Sequence, residues 1–279
     1  MGKREKTKNV TTFSDNDLFD QLIDKKAPVL WLSRYTEEDI RQLLEKFHLM
    51  PAFTAMGFTE IIIKIEPIDT FTQTLKIYHK QAIPENWLAE IRLRETAFTH
   101  PLCPYDPPLP VLEIEWLMLQ NPRSQFTAAQ PRFPGQRHPG SGLAKRILRL
   151  LVHLAEQQNQ AGILNFPEFF HNAYIYLEYF YFCNPRLKGI VLALRRDISE
   201  LSLAELSWAI NLGCVIDAKT GQIFEWQSDA LILPLGEKMK THLGSPEYEQ
   251  IVYNTMAEAK FILNTQKFRE LYPQQISQS

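Results

Sequence analysis

Arg137-His138-Pro139-Gly140-Ser141-Gly142-Leu143 is the stretch on which the reading of this chain turns. It is a glycine-containing loop that feeds directly into an amphipathic helical pattern from Leu143 to Gln158. Leu143, Ile147, Leu150, Leu151, Leu154 and Ala155 share one stripe, and Lys145, Arg146, Arg149 and His153 share the other. Glycines let backbone amides approach an anion, and a helix N-terminus adds about half a positive charge. The pattern predicts a phosphate-binding turn. Spacing then sorts the phosphate loops. A Walker A loop needs Lys and Ser/Thr after its last glycine, whereas Gly140 is followed by Ser141-Gly142. A dinucleotide fingerprint needs a third glycine where Lys145 stands.

Upstream of the loop, Pro28 to Leu32 reads as a short buried strand. A helix follows, capped by Thr36 with acids in its first turn and apolar at Ile40, Leu43, Leu44 and Phe47. Thr59–Ile65 and Gln73–His79 are β-branched runs across a short polar turn, the pattern of an antiparallel pair. Leu88–Phe98 alternates, with Ile91 and Leu93 against Arg92 and Arg94. Val111–Leu119 alternates too, so that Glu113 and Glu115 share one strand face. A Pro-rich loop, Pro101–Pro110, separates these two strands, and Asn121–Gly142 has no periodicity at all.

Downstream, Gly162–Phe166 reads as a strand, Pro167–Phe182 as a helix crowded with aromatics, and Gly189–Leu194 as another strand. Leu203–Asn211 reads as a helix, Val215–Trp226 as a hairpin turning at Thr220-Gly221, and Pro246–Tyr272 as closing helices.

The third phosphate-loop pattern, Arg/Gln-x-x-Gly-x-Gly/Ala, is matched by Arg137, Gly140 and Gly142. Here the chain resembles the GCN5-related N-acetyltransferase (GNAT) superfamily, in which this motif lies between the fourth strand and the following helix. The order of elements from about Pro28 to Arg195 follows that family's plan. The resemblance implies an α+β fold, a central mixed and mostly antiparallel sheet flanked by helices, over 28–196. A polar lead (1–27) precedes it and a C-terminal extension (197–279) follows. Family members usually pass from the fourth strand to the motif within a few residues, and here Asn121–Gln136 intervene.

The resemblance further implies an N-acyltransferase that takes acetyl-coenzyme A as donor and a small-molecule or peptide amine as acceptor. Arg137, His138, Pro139, Gly140, Ser141, Gly142 and Leu143 would hold the pyrophosphate, with Leu117, Leu119 and Asn172 also against the cofactor. Glu113 or Glu115 would take a proton from the amine, Tyr176 would give one to the departing thiolate, and a backbone N–H of the fourth strand would hold the oxyanion. A further reading, from a different class, is a GNAT-like scaffold that binds without catalysing.

Composition bounds these readings. With 30 Lys+Arg against 32 Asp+Glu the formal charge is −2, which disfavours nucleic acid as the partner. The chain is 45% hydrophobic and 22% charged, values that exclude whole-chain disorder. No window reaches the roughly 18 apolar residues of a membrane span, and no secretory signal is present, so a cytoplasmic protein is expected. Three cysteines (Cys103, Cys183, Cys214) without a C-x-x-C pair argue against a disulfide framework. Seven histidines without H-x-x-x-H or H-x-E spacing predict no metal site, and the absence of G-x-S-x-G removes the serine-hydrolase reading.

Overall fold

The computed structural model describes residues 29–68 and 72–276. The polar lead 1–27 and Pro28 lie outside the described residues. The fold is α+β, organised on one open seven-stranded sheet that is antiparallel except at one junction.

Trp31 and Leu32 are buried, but the chain there makes a tight turn closed by a Trp31–Tyr35 bridge rather than the expected strand. Leu32 and Ser33 take positive φ, which a strand does not allow. Helix α1 (Glu37–Lys46) begins at a capping box: Thr36 Oγ1 accepts from the Asp39 amide, and the Asp39 carboxylate accepts from the Thr36 amide. A short α2 (Leu49–Ala55) follows, giving two helices where sequence periodicity predicts one.

Four antiparallel strands come next: β1 (Ile61–Pro67), β2 (Thr72–His79), β3 (Trp87–Phe98) and β4 (Leu109–Leu119). Helix α3 (Ala144–Gln157) leads to β5 (Gly162–Asn165), which pairs with β4 in parallel. The expected long aromatic helix is only α4 (Phe170–Tyr176). After it the chain turns at Tyr179 and Phe180, whose amides both return to the Tyr176 carbonyl, and enters β6 (Tyr181–Phe182).

The expected strand at Gly189–Leu194 is instead part of helix α5 (Pro185–Asp197). Its start signal explains the difference. Asn184 caps the Arg186 amide, and Pro185 sits at the first helical position, where its missing N–H costs nothing. A short apolar run cannot by itself distinguish a strand from one turn of a buried helix.

Helix α6 (Leu203–Asn211) has the expected bounds. Strand β7 (Val215–Asp217) turns back at Gly221, which has φ +73°. Its ladder partner, however, is β9 (Phe261–Leu263) in a separate two-stranded sheet. Between them lie β8 (Leu231–Pro234), α7 (Glu237–Leu243) and α8 (Pro246–Glu258), and α9 (Thr265–Ile276) follows β9. The expected run of closing helices is therefore interrupted by a strand.

The sheet order is β1-β2-β3-β4-β5-β8-β6. Residues 231–234 thus insert between β5 and β6, antiparallel to both. On one face, Leu75, Ile77, Ile91, Leu93, Leu112 and Ile163 pack with the apolar stripes of α1, α2 and α3 in the main core. On the other, Val111, Leu164 and Ile232 pack with Met239, Leu243, Tyr248 and Val252 of α7 and α8 in a smaller core. No helix among the described residues is long and apolar enough to cross a membrane.

Candidate functional site

Strands β4 and β5 are paired only from Val111↔Gly162 to Ile114↔Asn165, and β4 then continues to Leu119 alongside β3. The Asn165 side chain closes the junction by donating to the Ile114 carbonyl at 3.2 Å. Beyond it the burial of β4 changes at once. Residues 111–114 are buried, Trp116 is 44% exposed, and Leu117 and Leu119 are half-buried. The backbone groups of this stretch that face away from β3 have no strand partner among the described residues, so the sheet opens into a notch.

The Asn121–Gly142 segment is long, but its base is closed. Gln120 bridges Gly140, the Asn121 amide donates to the Pro139 carbonyl at 2.8 Å, and Gln130 Nε2 donates to the Gly140 carbonyl at 3.1 Å. The motif is therefore carried back to the end of β4 despite the intervening residues. Other contacts fix the rest of the segment. Arg123 donates to the Gly57 carbonyl at 2.9 Å and lies 4.7 Å over the Phe58 ring, and Trp208 Nε1 donates to the Arg132 carbonyl at 2.9 Å. At Gly135, with φ +80°, an added Cβ would fall 2.7 Å from the Phe169 ring, so only glycine fits.

Within the motif, Gly142 has φ +73° and open space around it, which frees the loop to turn into α3. At Gly140 an added Cβ would meet only the Leu119 carbonyl, at an ordinary 3.8 Å, so the space there does not require glycine. Helix α3 starts at Leu143 with no side-chain cap. Its first amides to find backbone acceptors within the helix are those of Arg146 and Ile147, both on the Leu143 carbonyl, which leaves the amides of the first turn, Ala144 and Lys145, without an intrahelical acceptor. Ser141 Oγ is buried and has no partner. An uncapped helix start with an orphaned hydroxyl beside it can accept an anion. Arg137 is exposed and His138 half-buried at the same loop. A groove along α3 mixes Lys46, Lys145 and Arg149 with Glu156 and with apolar Phe47, Leu148 and Val152.

Glu113 and Glu115 do share a site. Both are ion-paired to Arg94, at 2.8 Å to Nη2 and 3.0 Å to Nε. The register shows how: Leu93 faces Ile114 and Arg92 faces Trp116, so Glu115 is the extra residue of a β-bulge that swings its carboxylate toward the same guanidinium. Glu90, on the same face, carries no signal in the sequence pattern. It is 6% exposed, and burial pushes its carboxyl above the ordinary value, against the pull of Lys76 and Arg92.

Tyr176 ends α4 and packs on Phe180 with ring centroids 5.5 Å apart. Burial raises its hydroxyl above the usual phenol value and keeps it protonated. The turn after it reaches the start of α3, where Lys145 Nζ meets Glu178 at 2.9 Å. Asn172 lies in the first turn of α4. His171 is structural: it is buried, bonded to Ser207 Oγ at 2.9 Å and stacked on Phe133 at 4.5 Å, and burial pushes its pKa down to about 4.

Another cluster is invisible to motif spacing. One ligating atom each of His100, Cys103 and Cys183 lie within 4.8 Å of one another. The H-x-x-C spacing at 100–103 is the one local signal for it, because Cys183 enters from a strand 80 residues later.

No protein-family model, curated protein or solved structure matches the chain. The class that the described residues define is an α+β protein with a mostly antiparallel open sheet.

Proposed function

We propose that the protein is a GNAT-like N-acyltransferase that moves an acetyl group from acetyl-coenzyme A to an amine. One observation carries most of the weight. The Arg137–Leu143 loop, which carries the orphaned Ser141 hydroxyl and leads into the uncapped start of α3, is bridged to the end of β4, the strand that has just lost its β5 neighbour. A diphosphate seated on α3 would thereby send an extended, amide-bearing arm into the notch, where the free backbone groups around Leu117 and Leu119 would bond it as a strand would. The groove along α3, where Lys46, Lys145 and Arg149 stand among apolar side chains, suits the remaining phosphate-bearing part of such a molecule.

In this reading the amine nitrogen attacks the thioester carbonyl, a β4 amide holds the oxyanion, and the C–S bond breaks. Glu113 or Glu115 accepts the amine proton, and Tyr176 returns one to the sulfur. The raised pKa of Tyr176 suits an acid that must enter the cycle protonated. The paired state of both glutamates favours the alternative, a scaffold that binds the same ligand without turnover, because Arg94 already engages both carboxylates.

Thermal unfolding with millimolar acetyl-coenzyme A tests the site, with adenosine diphosphate and a Ser141→Ala/Gly142→Val variant as controls. A midpoint rise that the variant loses supports it, and ligand at 100 times its Kd adds about 2.7 kcal/mol. No rise at saturating ligand reduces the loop to a helix-starting turn. Binding without release of free coenzyme A across an amine panel selects the scaffold.

A further inference from the structure

The cluster on the far side of the sheet from α3 stands apart from the notch and is built from three separate segments. His100 and Cys103 bracket a turn at the end of β3, held by the Cys103 amide donating to the His100 carbonyl at 3.1 Å. Cys183 follows β6, and its amide donates to the Ala230 carbonyl at 2.8 Å. Asp229 enters just before β8. Both cysteines are free and 1% exposed, within the smaller core.

We propose that His100, Cys103 and Cys183 form a site for a thiophilic divalent cation of the zinc class, with Asp229 as the residue that positions the imidazole. Three N and S donors within 4.8 Å compare with ligand–ligand separations of about 3.5–3.8 Å in a tetrahedral Cys/His zinc site, so closure needs movement of about 1 Å. Two thiolates and one imidazole are the donor set that favours zinc over the harder magnesium or calcium.

The ring orientation is already specified. The Leu102 amide donates to His100 Nδ1 at 3.2 Å, which puts the ring proton on Nε2, 3.2 Å from Asp229 Oδ1. Asp229 is itself fixed by the Ala230 amide at 2.7 Å. Asp229 on Nε2 is the carboxylate partner that supports histidine ligands of zinc, and binding exchanges the Leu102 hydrogen bond on Nδ1 for a metal–nitrogen bond. Tyr105 Oη, two residues beyond Cys103, is buried without a partner. Binding replaces two S–H bonds by two metal–sulfur bonds and releases two protons, leaving a net-neutral centre.

The site would lock the end of β3 to the β6–β8 edge, so its signature is metal content and stability. The test uses the full chain, reduced and freed of metal with a chelator, and titrated with Co²⁺. One equivalent is expected to give thiolate-to-cobalt charge transfer and visible ligand-field bands, with zinc displacing the cobalt. Cys103→Ser and Cys183→Ser remove the charge-transfer intensity, Cys214→Ser keeps it, and Asp229→Asn weakens affinity about 10–100-fold while retaining the bands. If a cysteine variant fails to fold, the wild-type titration decides alone. Absence of thiolate bands in the folded, reduced chain, or bands that survive both cysteine changes, overturns the site. So does a chain isolated with Cys103 and Cys183 in a disulfide that still refuses metal after reduction.

Discussion

Along β3, Ile91 and Leu93 enter a core closed by α1, α2 and α3, while Arg92 and Arg94, one residue along, lie on the opposite face with Glu90, Glu113 and Glu115. The same strands therefore carry two surfaces with different physics. One is apolar, and its energy comes from area removed from water. The other holds charges that must be paired wherever they are buried, so Glu113 at 9% exposure sits against a guanidinium. Such a face contributes little net stability but presents chemistry. The comparison places the larger core on the α3 side and the paired charges on the other side of β2–β4.

The largest expected effect is on the apolar side. Leu151, fully buried on α3, loses about 2–5 kcal/mol on Leu151→Ala, read as a lower denaturant midpoint with an unchanged slope. A loss below about 1 kcal/mol would show that this core is not tightly packed and would erase the contrast.

The next prediction sharpens where titration enters the apolar side. His171 has its folded pKa lowered from 6.5 to about 4 by burial, so the unfolded chain binds the extra proton first. Stability is present above pH 6.5 and falls as pH drops from there to about 4, by about 3 kcal/mol in total. Denaturation across that range should show the slope in wild type and lose it in His171→Asn.

The smallest effect is on the polar face. Trp116, 44% exposed and hydrogen-bonded to the buried Glu90 carboxylate, is expected to lose about 1 kcal/mol on Trp116→Ser. In the acyltransferase reading the same change alters amine selectivity. A large destabilisation would show that something covers this face.

Legibility followed the range of the interactions involved. Thr36 and the Ile40, Leu43, Leu44 stripe announce α1, and alternation at Ile91–Arg94 announces β3, because caps and pleats are set within a few residues. Gly189–Leu194 misleads because its helix is specified by Asn184 and Pro185 outside the run. At the candidate site the Arg137–Gly142 motif and the shared face of Glu113 and Glu115 are readable. Arg94 as their common partner depends on a bulge at the 92/93 register, which no local pattern encodes.

The segment 121–142 and the stretch beyond 197 are the least legible. By pattern alone, 121–142 is an insertion that should separate motif from strand, and the Gln120–Gly140 bridge with the Asn121 and Gln130 hydrogen bonds cancels the separation. Beyond 197 the pattern suggests an appendage, yet Leu231–Pro234 lies within the sheet between β5 and β6.

By itself the sequence determined the local elements, their caps, the glycine turn before α3 and the charge alternation of the strands, since each rests on steric preferences and periodicities confined to a few neighbours. Tertiary structure alone decided that β4 parts from β5 after Ile114, that β8 fills the place beside β5, and that Cys183 arrives beside His100 and Cys103. These are pairings across tens of residues, selected by which surfaces bury each other best once the elements exist, and loop closure makes their energy a property of the whole chain.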